Sequence, residues 1–114
     1  MFGIIAVVEI LVVDDELSIR RGLAAMLENA GYSVRTARDG IAAFGAIRSK
    51  RPDLILLDVM MPLMDGFKVC EEIRKRDRDL PIVFLTAKDA DEDQVPQGVT
   101  IDAMRGRGYA LVTA

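Results

Sequence analysis

The stretch Leu54-Ile55-Leu56-Leu57-Asp58 is a run of four apolar residues that stops at a carboxylate. Pro52-Asp53 bounds it on the other side. Such a run has no polar face, so as a strand it must be buried on both sides. That is the situation inside a parallel sheet covered by helices. Working outward, the same pattern occurs twice more. Ile10-Leu11-Val12-Val13 ends at Asp14-Asp15, and Ile82-Val83-Phe84-Leu85 ends at Thr86. A shorter strand is expected from Ser33 to Ala37.

Between these runs the apolar spacing turns helical. Ile19, Leu23, Met26, Leu27 and Ala30 share one stripe. Asp15 or its neighbour is the expected cap, and Gly31 the left-handed residue that ends the helix. Asp39-Gly40 marks a turn, and Ala43, Phe44 and Ile47 suggest a second helix, weakened by Gly45. After a loop from Val59 to Gly66, Phe67, Cys70 and Ile73, flanked by Val69, give a third. Strands alternating with helices at this spacing predict a doubly wound α/β fold. Right-handed crossovers leave it few topologies.

The 114 residues, 51% hydrophobic and 29% charged, suit one soluble domain with one core. A net charge of −3 argues against wholesale binding to nucleic acid or to an anionic membrane. No histidine is present, which excludes histidine catalysis and histidine metal ligation. Cys70 is the single cysteine, so no internal disulfide can form. It reads as a buried core thiol in a reducing compartment. Phe2 to Val8 is almost wholly apolar, followed by Glu9. A membrane span needs about twenty apolar residues, and a secretory signal needs basic residues ahead of its apolar run. The expectation is a cytoplasmic protein, with no membrane contact and a long first strand.

In an open parallel sheet, ligands bind at the carboxyl ends of the strands. Three of the predicted strands end in polar residues there: Asp14-Asp15, Asp58 and Thr86. If the first and third strands are neighbours, three carboxylates converge. Their repulsion is relieved by a hard divalent cation, and magnesium suits a site of few carboxylates plus phosphate oxygen. A carboxylate beside such an ion can attack phosphorus and form an acyl phosphate. Each signal has a plainer reading. An acidic pair can cap a helix, Asp58 can serve the Pro-containing turn after it, and a strand-end threonine is often structural. Their joint placement at three strand ends favours the chemical reading.

Three segments together resemble the receiver domains of bacterial two-component response regulators. Ile10-Leu-Val-Val-Asp-Asp-Glu16 resembles the family's first strand and acidic pair. Leu54-Ile-Leu-Leu-Asp-Val-Met-Met-Pro62 with Met64-Asp-Gly66 resembles its phosphorylation-site strand and loop. Leu80-Pro-Ile-Val-Phe-Leu-Thr-Ala87 resembles its fourth strand and switch threonine. The resemblance implies a flavodoxin-like doubly wound parallel sheet, strand order 2-1-3-4-5, with a receiver domain over residues 1–90, matched clearly from residue 9. It implies Asp58 as phosphoacceptor, Thr86 as switch hydroxyl, and Mg2+ held by Asp14, Asp15, Asp58 and the backbone carbonyl of Met60. Ala87 leaves room for the phosphoryl group, and Pro62 and Gly66 shape the loop. The implied partner is a sensor histidine kinase. The implied role is regulation of an output, transcription, by a domain that is not a conventional enzyme and only phosphorylates and dephosphorylates itself. A phosphatase that attacks with an aspartate needs a second acidic group two residues on, and Met60 stands there.

Residues 91–114 depart from the family. The family's fifth strand ends in lysine and proline and is followed by a fifth helix, but no lysine follows Lys88 here, and the final helix is lacking. Two readings of this atypical tail stand side by side. Tyr109 to Val112 is a fifth strand of a trimmed receiver, with Tyr109 near the family's switch aromatic. Alternatively, Ile101 to Val112 resembles the terminal hairpin of a winged-helix DNA-binding domain, with Arg105 and Arg107 placed for phosphates. Without a recognition helix, DNA is reached only through an output domain not intact in this chain. The missing lysine raises the alternative of a non-switching pseudo-receiver that acts as an interaction module. The missing helix raises the expectation of a homodimer.

Overall fold

The computed structural model describes residues 7–87 and, beyond them, two strands at 100–103 and 109–113; side chains are described over 7–85. In chain order the elements are β1 (Glu9–Val13), α1 (Leu17–Asn29), β2 (Ser33–Ala37), α2 (Gly40–Ser49), β3 (Leu54–Asp58), α3 (Gly66–Arg74), β4 (Ile82–Ala87), β5 (Thr100–Ala103) and β6 (Tyr109–Thr113). The sheet order is β2-β1-β3-β4-β6-β5. The first four strands are parallel, in the expected 2-1-3-4 order.

Side chains alternate along a strand, and the core divides accordingly. Leu11, Val13, Ile55, Leu57, Ile82 and Phe84 face α2 and α3, where they meet Ala43, Val69, Cys70 and Ile73. Phe67 meets Phe84 edge to face at 4.8 Å, joining α3 to β4. Ile10, Val12, Leu56 and Leu85 face the other way, against Leu23 and Leu27 of α1. Each such fully buried side chain stabilises the fold by about 1.5–3 kcal/mol. Cys70 is buried, as its helical pattern required.

The helix ends follow from local chemistry. Asp39 and Asp65 cap α2 and α3, each accepting a backbone N–H at 2.8 Å, from Ala42 and Lys68. Thus Asp39 is a cap rather than a free turn residue. At the end of α1, Gly31 has φ +100°, which only glycine adopts at low cost. The Gly31 and Tyr32 amides close back onto Glu28 and Leu27 at 3.0 and 3.1 Å. This is a Schellman ending.

At the start of α1 it is the neighbour of Asp15, Glu16, that takes the cap position; it makes no side-chain cap bond, and Asp14 accepts the Glu16 amide at 2.9 Å. One expectation is corrected. The first strand is not long, since it begins at Glu9; only the Val8 carbonyl joins the pairing, accepting the Ser33 amide at 3.0 Å. Val7 and Val8 are exposed. Beyond β4 the next strand in the sheet is β6, and it runs antiparallel, pairing Ala87 with Tyr109 and Val83 with Thr113. β5 pairs antiparallel with β6 in turn. Only residues 104–108 separate β5 from β6, too few for a parallel crossover. Residues 2–6, Lys88, Arg105 and Arg107 lie outside the described residues. Among the described residues no helix is long and apolar enough to cross a membrane.

Candidate functional site

The parallel register assembles the site. Val13 pairs with Leu57, so one row on, Asp14 stands beside Asp58 at the carboxyl ends of β1 and β3. Asp14 continues the alternation of Ile10 and Val12, and Asp58 that of Leu54 and Leu56, so both carboxylates leave the same side of the sheet. The Asp14 amide donates to the Ala37 carbonyl at 3.1 Å, extending the ladder through that residue. Asp14, Asp15 and Asp58 each offer a carboxylate oxygen, and these atoms lie within 4.8 Å of one another.

The three acids sit in different environments. Asp14 is 3% exposed. Burial raises its pKa, the Glu16 amide opposes this, and the charges of Asp15 and Glu16 raise it further. Asp58 is half-buried at the strand end. Burial, and then the neighbouring Asp14 charge, push its pKa up to about 7, against the Met60 amide that donates to it at 3.2 Å. Asp15 is exposed. Burial first, and then repulsion between carboxylates brought this close, raise both values, and a bound cation would favour the ionised forms. The chemistry of the donor set, three hard oxygens with one acid open to solvent, fits a divalent ion such as Mg2+ that keeps several waters.

The loop after β3 is shaped at two points. A side chain on Gly66 would collide with the Asp58 carbonyl and come within 2.9 Å of the Val59 Cα. The Gly66 amide donates to the Val59 carbonyl at 3.0 Å, so α3 starts directly against the strand that presents Asp58. Leu63 has φ +70° and is 102% exposed, and the Met64 amide reaches back to the Pro62 carbonyl at 2.8 Å. That is a three-residue γ-turn of the strained hand. The Met60 side chain is 73% exposed, and its backbone amide contacts Asp58.

Asp14, Asp15 and Asp58 therefore come together, with the Met60 amide bonded to Asp58. Thr86 stands one row beyond the Asp58–Leu85 pair at the end of β4, its backbone paired with Ala110. Its side chain lies outside the described residues, as does that of Ala87. Arg20 was not legible as a site neighbour. It lies at the end of the first turn of α1, and its guanidinium donates to the Asp14 carbonyl at 2.7 Å.

Comparison with known proteins gives a consistent result. The family model for the response regulator receiver domain matches residues 10–105. The response regulator MprA of Mycobacterium bovis (strain BCG / Pasteur 1173P2) is 49% identical over 88 residues, 77% of this chain and 38% of the relative. This chain thus spans well under half the length of that curated relative. The N-terminal domain of a response regulator receiver protein from Methanoculleus marisnigri JR1 superposes with a TM-score of 0.73 at 40% identity, over 77% of this chain and 73% of that one. The response regulator TrrA of Thermotoga maritima, solved in complex with Mg2+-BeF, has a TM-score of 0.64 at 43% identity, over 66% of this chain and 65% of that one.

Proposed function

The chain belongs to the response regulator receiver domain family, and from that premise we propose that it takes a phosphoryl group from a sensor histidine kinase onto Asp58, with Mg2+ alongside, to regulate an output. The observation that carries this reading is the convergence of Asp14, Asp15 and Asp58 at the ends of two adjacent parallel strands. In the proposed step an Asp58 oxygen forms a bond to phosphorus. The phosphorus–nitrogen bond of the phosphohistidine donor breaks, and its electron pair returns to the imidazole. Asp14, Asp15, Asp58 and the Met60 carbonyl would hold the Mg2+, which supplies positive charge for the phosphoryl oxygens when bound. The Met60 amide orients Asp58. On this reading Thr86, near the end of β4, donates its hydroxyl to a phosphoryl oxygen and so reports the modification. The chain is not a conventional enzyme on this reading; it catalyses only its own phosphorylation and dephosphorylation, in the cytoplasm.

The likeness to MprA over 38% of that protein's length motivates a transcriptional output carried by sequence outside this chain. The antiparallel β5–β6 hairpin favours the winged-helix remnant over a family-type fifth strand, because the latter would run parallel to β4. A second reading, a pseudo-receiver that binds partners without switching, is favoured by the absence of any lysine after Lys88.

The test is chemical. The full chain is incubated with acetyl phosphate and Mg2+, then treated with hydroxylamine, which converts an aspartyl phosphate to a hydroxamate and releases phosphate. Peptide mapping should place the hydroxamate on Asp58. A hydroxamate on another residue, or none, would overturn the proposal.

A further inference from the structure

A concavity lies away from the acidic cluster, between the C-terminal halves of α2 and α3. It has a volume of about 240 Å³. Phe44, Ile47 and Ile73 give it an apolar floor. Its rim is charged, with Arg48 and Arg76 against Glu72 and Asp77.

The two acids of the rim are already engaged. Glu72 pairs with Lys75 at 3.0 Å, and Asp77 pairs with Arg51 at 2.7 Å. These contacts hold both carboxyls below their ordinary range. Arg48 and Arg76 are exposed, and neither makes an ion pair or a side-chain hydrogen bond among the described residues; Arg76 adds only a distant charge to Glu72. The groove therefore presents uncompensated guanidinium groups above apolar side chains. Guanidinium is the side chain best fitted to grip carboxylates through paired hydrogen bonds.

Size decides between kinds of occupant. Pockets for drug-sized ligands and cofactors span roughly 300–1,000 Å³, so 240 Å³ is small for a cofactor and right for one large side chain. Interfaces concentrate their energy in such anchors, surrounded by a polar rim.

We propose that the α2–α3 groove docks a protein partner through an acidic segment, whose single aromatic or branched apolar side chain fills the floor while its carboxylates meet Arg48 and Arg76. The groove lies at the end of the helices opposite the strand ends that carry Asp58, so a partner seated there leaves the acidic site open. The inference does not depend on phosphorylation.

The probe is a short synthetic peptide with a central Phe flanked by glutamates. Its control has the same Phe flanked by lysines. Binding to the full chain is followed by amide chemical shifts. The acidic peptide should shift the amides of residues 44–48 and 72–77, and the basic peptide should not. The double variant Arg48→Glu, Arg76→Glu should bind the acidic peptide about tenfold more weakly or worse, with its unperturbed spectrum showing that it folds. Rising salt should weaken wild-type binding. Equal binding of both peptides, shifts located elsewhere, or no shifts at millimolar peptide would overturn the proposal. So would concentration-dependent shifts of the same amides without peptide, which would mean that the groove is occupied by a second copy of this chain.

Discussion

Asp58 carries the clearest pH signature. Its carboxyl holds a proton more tightly in the folded chain, up to about 7, than the ordinary value of 3.8. Its contribution to stability is therefore complete below about 3.8 and is lost as pH rises through about 7. The upward shift of Asp14 acts with the same sign. In chelator, Asp58→Asn should be more stable than the wild type above pH 7, by on the order of 4 kcal/mol at most. The gap should shrink steadily as pH falls toward 5. Urea unfolding at several pH values measures it, and a pH-independent gap would mean that burial and the Asp14 charge do not raise Asp58 as described. Mg2+ should restore wild-type stability, by about 2.7 kcal/mol at a concentration a hundredfold above its Kd. Asp15→Ala should weaken that Mg2+ response, because a hard cation loses an anionic oxygen; calorimetric titration with an unchanged affinity would reduce the acidic pair to a structural role. Leu63 offers a separate test. A fully exposed leucine at φ +70° gains nothing from burial to offset its backbone strain. Leu63→Gly should raise the melting free energy by about 1 kcal/mol.

At the scale of elements, the junction of β3 and α3 fixes where Asp58 stands. Gly66→Ala puts a methyl group into the Asp58 carbonyl, so either α3 or the strand end must move. A loss of about 1–3 kcal/mol is expected, together with displaced amide resonances for residues 58–66. A variant as stable as the wild type, with unshifted resonances, would show that the close approach does not constrain the loop. Much of this level was legible in the sequence. Strands buried on both faces announce themselves as unbroken apolar runs, and Leu54–Leu57 and Ile10–Val13 do so without ambiguity. The meeting of Asp14 with Asp58 was legible on the condition that the first and third strands are neighbours, as they are. The capping of α1 was not legible, because Asp14, Asp15 and Glu16 are chemically alike and only the register assigns the Glu16 amide to Asp14. Nor was the contact of Arg20 with the Asp14 carbonyl, which depends on where α1 lies over the sheet. The direction of β6 depends on its neighbour β5, and an isolated apolar run such as Tyr109–Val112 carries no direction.

For the whole molecule, the two faces of the sheet are unequally covered. Among the described residues α2 and α3 pack on one face, and α1 alone packs on the other, where Leu54 and Val83 are only partly buried. A parallel sheet is stable with both faces covered, so association through the α1 face is expected, and light scattering should report a mass that rises with concentration. A compact monomer at high concentration would mean that the chain's own C-terminal segment covers that face. The central claim, however, is that the parallel sheet gathers three carboxylates to make Asp58 a phosphoacceptor. It is tested most directly by intact mass after incubation with acetyl phosphate, with and without Mg2+. The account predicts a gain of one phosphoryl group in the wild type that requires Mg2+ and vanishes in Asp58→Asn. Equal labelling of that variant, or labelling indifferent to Mg2+, would contradict it.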